Sequence, residues 1–154
     1  MAIKIEVKLN RDFGVNCSYD KVFQLLADVP LSVSHFPKVD KLVDIGDNSF
    51  RWEMAKTGVG KYSIQTVYAC KYEASKEDGL IKWTPVSGVG NGNVEGQWNI
   101  SGDENFCNIK FSTTALLSLP LPRLAKAVVV PVVRREFNGM VDQYIKNLQK
   151  TFQK

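Results

Sequence analysis

The chain has 154 residues, of which 44% are hydrophobic and 23% charged, with a net charge of +4. That length suits one domain spanning 1–154, with interior enough for a core that needs no disulfide or metal staple. The composition excludes disordered and collagen-like chains, and its three cysteines, Cys17, Cys70 and Cys107, suit buried thiols in a reducing compartment better than a disulfide framework.

Ile3, Ile5, Val7 and Leu9 alternate with Lys4, Glu6 and Lys8. A period of two predicts a half-buried strand, resumed in phase at Phe13 and Val15, with a bend at Gly14. This opening is neither a signal peptide nor a membrane span, so the expectation is a soluble, cytoplasmic protein. Ser18 is placed to cap a helix running to about Ala27. Pro30 interrupts, a short apolar segment reaches His35-Phe36, and Pro37 stops it, which predicts a second short helix. Strands follow at Lys41–Ile45, Ser49–Lys56, Lys61–Ala74, Leu80–Pro85, Asn93–Ile100 and Phe106–Leu117, with turns short enough to require antiparallel pairing.

Pro120 and Pro122 stand at the entrance of a final helix, where a missing N–H matters least. Leu121, Leu124, Val128, Val132, Phe137, Met140, Val141, Tyr144, Leu148 and Phe152 form its apolar stripe, and Pro131 is expected to kink it. At 1.5 Å per residue the helix would run about 45 Å, long enough to lie across a whole sheet. The order β–αα–six strands–α predicts an α+β domain with a roughly seven-stranded antiparallel sheet.

Phased by their apolar residues, the strands present one aromatic wall. It carries Trp52, then Tyr62, Ile64, Thr66, Tyr68, Cys70 and Tyr72, then Trp83, Trp98, Phe111 and Thr113. A tightly filled core favours Leu, Ile and Val, whereas broad aromatics with sparse hydroxyls suit an apolar pocket with a few polar handles. The candidate ligand-binding residues are therefore Trp52, Ile64, Tyr68, Trp83, Trp98, Phe111, Phe137, Met140 and Tyr144 as walls, with Tyr62, Thr66 and Thr113 as hydrogen-bonding groups.

The segment from Cys17 to Pro30, containing Val22-Phe23 and Leu25-Leu26-Ala27-Asp28, leads to His35-Phe36-Pro37. Together with Leu121-Pro122-Arg123 and Val130-Pro131-Val132-Val133, it resembles the START-like helix-grip superfamily of polyketide cyclase/dehydrase, coenzyme-Q-binding and lipid-transfer domains. The resemblance extends over the whole chain through the order of its elements. It implies a curved sheet gripping the C-terminal helix around an apolar cavity, and carries over no catalytic residues.

Other features point elsewhere or nowhere. Gly88-Val89-Gly90-Asn91-Gly92 is followed by a strand, so it reads as a hairpin turn and not a phosphate loop. His35, the single histidine, sits at a helix end, and a single histidine leaves no metal cluster or triad to assemble. Arg51 and Glu53 flank Trp52 in the solvent phase. Arg11 interrupts an apolar phase, as a strand-end charge or as an anchor for a ligand carboxylate or phosphate. Residues 121–154 carry a net charge of +5 while the rest sums to −1. That basic helix, with the apolar bridge Leu116 to Pro122, is a solvated face or a contact for an anionic membrane or a partner protein; nothing suggests nucleic acid.

The expectation is a binder or carrier of a hydrophobic small molecule (a lipid, an isoprenoid quinone or a polyketide-like ring), with no cofactor, no metal and no catalytic set. The alternatives are a polyketide cyclase/aromatase-like enzyme using the same cavity, and a protein-interaction module.

Overall fold

The computed structural model describes residues 3–153. β1 (Ile3–Val15) alternates buried and exposed side chains as its sequence requires, and pairs along its whole length with the last strand. Ser18 caps α1 (Tyr19–Ala27) by accepting from the Lys21 N–H, and Asp28 caps α2 (Val29–Val33) by accepting from the Leu31 N–H. Pro30 therefore lies in the first turn of α2, where its missing N–H leaves nothing unpaired.

The remaining strands are β2 (Val39–Gly46), β3 (Ser49–Met54), β4 (Thr57–Val59), β5 (Tyr62–Ile64), β6 (Val67–Ser75), β7 (Leu80–Pro85), β8 (Gly92–Gly102) and β9 (Cys107–Leu119). Seven of them form one antiparallel sheet in the order β1-β9-β8-β7-β6-β3-β2. β4 and β5 make a separate two-stranded hairpin. A 3-10 turn at Arg123–Ala125 leads into α3 (Lys126–Phe152), which closes the inner face of the sheet. On that helix Val129, Val141 and Leu148 are completely buried. Each such side chain contributes roughly 1.5–3 kcal/mol of transfer free energy.

Four expectations need correction. The strand expected over Lys61–Ala74 breaks at Gln65-Thr66, between β5 and β6. Asn91 holds that break open: its side chain accepts from Val67 N–H at 2.9 Å and donates to Gln65 C=O at 2.8 Å, completing the backbone pairing the ladder lacks. The strand expected over Ser49–Lys56 ends at Met54, and Gly58 and Val59, read as a turn, belong to β4. Finally, the last helix starts at Lys126 and not near Leu121, because Pro120 and Pro122 hold the chain extended until the 3-10 turn. It continues through Pro131.

Arg11 ties the sheet to α3. Its Nε donates to Asp142 at 2.7 Å and its Nη2 to Asn138 at 2.9 Å. The guanidinium in the apolar phase of β1 thus anchors a helix.

Candidate functional site

Strand register assembles the aromatic wall. Trp52 of β3 stands opposite Tyr68 of β6, Tyr72 opposite Trp83 of β7, and Trp98 of β8 is flanked by Ile81 and Phe111. Because side chains directly opposite each other on paired strands share a face, a period of two in five strands becomes one surface. Trp83 fits there because it faces Gly96: a Cβ on that glycine would lie 2.6 Å from the indole.

Between this wall and α3 lie two neighbouring chambers that share part of their lining. The inner one is bounded by α2, the sheet centre and the middle of α3, and the outer one by the β4–β5 hairpin and the first half of α3. Each has a volume of about 50 Å³, counted as room for the centre of a water-sized sphere. One water needs only about 10–15 Å³ on that measure, so both are true voids in an interior that elsewhere packs densely. Phe36, Tyr68 and Phe137 line both chambers and form the partition.

Of the twelve candidate residues, Trp52, Trp83, Trp98, Phe111, Thr113 and Tyr144 line the inner chamber. Ile64, Thr66 and Met140 line the outer one, and Tyr68 and Phe137 line both. Tyr62 lines neither: the break at Gln65-Thr66 carries it onto the hairpin, where Lys61 lies over its ring at 5.5 Å.

The inner chamber also takes residues outside the candidate set. Leu26, Val29, Ser32 and Val33 come from α1 and α2, and Phe36 from just beyond. Leu26, Val29 and Val33 are buried apolar residues of two short helices, but the place of this group against Trp52 and Tyr144 is a tertiary fact. Phe36 meets Trp52 edge-on at 5.4 Å and Tyr144 at 4.9 Å. Trp52 stacks on Tyr68 at 5.5 Å, and Trp98 contacts Phe111 at 4.7 Å and Tyr144 at 5.9 Å. The outer chamber has one charged pair at its rim, Lys38 Nζ to Glu136 at 2.9 Å. The Lys38 ammonium holds the Glu136 carboxyl below its usual range.

The polar inventory of the inner chamber is short. Trp52 Nε1–H donates to the Tyr72 hydroxyl at 3.1 Å, and the Ser32 and Tyr144 hydroxyls bond each other. Thr113 donates to the Glu95 carbonyl at 3.0 Å. The Tyr68 hydroxyl and the Trp83 and Trp98 indole N–H groups have no partner among the described residues. Among the described residues no fully enclosed side-chain nitrogen or oxygen lacks a partner, so each of these three, on residues that line the chamber, borders space that water can occupy.

Burial pushes the Tyr68 and Tyr72 hydroxyls well above the usual tyrosine value of 10.0, with the neighbouring Cys70 adding to both. Burial raises Tyr144 as well, against the bond from Ser32, and pushes the Cys70 thiol up to about 12. All are neutral hydrogen-bonding groups near pH 7, not bases. His35 lines neither chamber; its Nδ1 lies 2.9 Å from Leu31 C=O and its Nε2 2.8 Å from Thr151 Oγ1, which makes it a clasp between α2 and the end of α3.

No protein-family model matches the sequence, and no curated protein matches it significantly. The structure, in contrast, is similar over nearly its full length to many solved ones. A conserved protein from Geobacillus kaustophilus aligns with a TM-score of 0.69 at 13% identity, covering 95% of each chain. A START superfamily protein from Mycobacterium smegmatis aligns at 0.64 and 12% identity, covering 94% of this chain and 96% of the other. The Zhui aromatase/cyclase from Streptomyces sp. R1128 aligns at 0.59 and 13% identity, covering 94% and 90%. The chain has the START-like helix-grip fold: an antiparallel sheet around a long C-terminal helix, with two short helices after the first strand. Among the described residues no helix is long and apolar enough to cross a membrane.

Proposed function

We propose that this chain binds a hydrophobic small molecule, of the lipid, isoprenoid quinone or polyketide-like class, in the neighbouring chambers between the sheet and α3. The observation that supports this most is a void lined by aromatic rings where a core would be filled, with the Tyr68 hydroxyl open to it. Affinity would come from apolar area, at about 25 cal/mol per Å² buried less the ordering of ligand and side chains. The likeness to a START superfamily protein and to an aromatase/cyclase supports the same reading. Binding without proton transfer is favoured over a cyclase reaction, because no histidine, carboxylate or amine among the described residues lines the inner chamber.

Native and denaturing mass spectra of freshly purified protein test the reading. A discrete mass lost on denaturation is expected, and Trp98→Ala with Phe111→Ala should reduce its occupancy. Occupancy unchanged in a folded double variant would refute the assignment of the wall.

A surface feature bears on how such a ligand arrives. Leu124 is 95% and Val128 58% exposed on the outer face of the 3-10 turn and the first turn of α3. Arg123 and Lys126 stand beside them in sequence, with Arg134 and Arg135 further along the same helix and no acid between 121 and 135. We infer that this apolar tip with a basic rim rests on an anionic lipid surface, next to the helix segment that lines the outer chamber. Sedimentation with phosphatidylcholine/phosphatidylserine vesicles should show binding that weakens with salt and is lost in Leu124→Asp/Val128→Asp. Equal binding by that variant would remove the proposal.

A further inference from the structure

The few polar groups of the inner chamber include three donors without a partner among the described residues, and no charged side chain lines it. Tyr68 is only 5% exposed, yet its hydroxyl has no partner among the described residues. Trp83 and Trp98, 7% and 3% exposed, present indole N–H groups in the same condition. An indole nitrogen can only donate. Tyr72 accepts from Trp52 and has its own proton uncommitted. The remaining hydroxyls are engaged, Ser32 with Tyr144 and Thr113 with the Glu95 carbonyl. No lysine, arginine, histidine, aspartate or glutamate lines this chamber.

A donor left dry in an apolar site is unfavourable by about 1–3 kcal/mol, so the occupant should bring acceptors. A carboxylate or phosphate would also accept, but burying its charge without a counter-ion is far more unfavourable than burying a carbonyl. The walls are flat: Trp52 and Tyr68 are stacked 19° from parallel, and Trp83 and Phe111 lie at 33°. Tyr68 faces both chambers, so a group bonded to it sits at their junction.

Building on the binding role proposed above, we infer that the inner chamber selects a neutral, planar ring bearing a carbonyl oxygen, with the Tyr68 hydroxyl as its donor. Any aliphatic extension of the ligand passes the Phe36–Phe137 partition into the outer chamber, against Met54, Ile64 and Met140. Selection then comes from the donor left unpaired when a hydrocarbon of the same shape enters.

The probes are 1-indanone, indane (the same bicycle without the carbonyl) and indane-1-carboxylate. Protein with ¹⁵N-labelled tryptophan reports binding directly, because all three tryptophans line the inner chamber. The expected result is 1-indanone bound at least about tenfold tighter than indane, with carboxylate binding weaker than either. Tyr68→Phe should cut the indanone affinity by about three- to tenfold. A urea midpoint for Tyr68→Phe close to that of the parent shows that the fold is kept; the comparison of the three probes on the parent chain stands without any variant. Equal binding of indanone and indane, or an indanone affinity untouched in folded Tyr68→Phe, overturns the carbonyl inference and leaves hydrophobic binding standing. No shift of any indole signal with any probe overturns both.

Discussion

The bond between the Ser32 and Tyr144 hydroxyls joins α2 to α3 across the inner chamber, and its contribution can be worked out from burial. Ser32 is 3% and Tyr144 5% exposed, and each hydroxyl is the other's side-chain partner. Tyr144→Phe keeps the ring and its contacts with Phe36 and Trp98 but leaves the Ser32 oxygen buried and unpaired. The loss combines a hydrogen bond with an unsatisfied polar atom, about 1–3 kcal/mol in all. Ser32→Ala removes the same bond and leaves the Tyr144 hydroxyl without its partner, for a loss of similar size. Replacing both removes the unpaired atom, so the double variant should be more stable than the sum of the singles by about 1 kcal/mol. At this chain length 1 kcal/mol moves the melting temperature by roughly 2–4 °C, which urea and thermal unfolding followed by tryptophan fluorescence resolve. Additive single effects, within about 0.3 kcal/mol, would refute the claim that the two hydroxyls depend on each other.

Gly96→Ala should destabilise by roughly 1–3 kcal/mol and alter the chamber, since the new Cβ would lie 2.3 Å from the Ser112 carbonyl and 2.6 Å from the Trp83 ring; an unchanged urea midpoint and Trp83 indole signal would contradict that packing. Tyr68, Tyr72 and Tyr144 are raised in the folded state, so their share of stability is present below pH 10 and lost as pH climbs past it, where the unfolded chain releases the protons first. Absorbance at 295 nm should therefore show three of the five tyrosines ionising only with alkaline unfolding; their titration near pH 10 in folded protein would show that they are solvated. With its thiol pushed up to about 12, Cys70 should resist iodoacetamide at pH 8 until the chain unfolds, and alkylation of native protein at that residue would contradict its burial.

The local elements were largely legible. Alternation in β1, the Ser18 cap and the tolerance of Pro30 in a first helical turn act over a few residues, and the structure follows them. The inward phase of Trp52, Tyr68, Trp83, Trp98 and Phe111 was equally plain, because side chains on a strand alternate whatever the strand pairs with. Tyr62 shares that parity and still leaves the wall. The cause is Asn91, 26 residues beyond Gln65, whose side chain stabilises a gap in the strand. No local pattern around Tyr62 carries that information.

By itself the sequence determined the inward phase of most strand residues, where the first helix begins and that one face of the sheet is aromatic, since these depend on strand and helix periodicity and on capping. Only the tertiary structure decided that Arg11 anchors α3, that Phe36 divides the interior into two chambers, and that Tyr68 is left with an open hydroxyl. Those outcomes depend on which side chains from distant segments meet, and on how much space remains once they have packed.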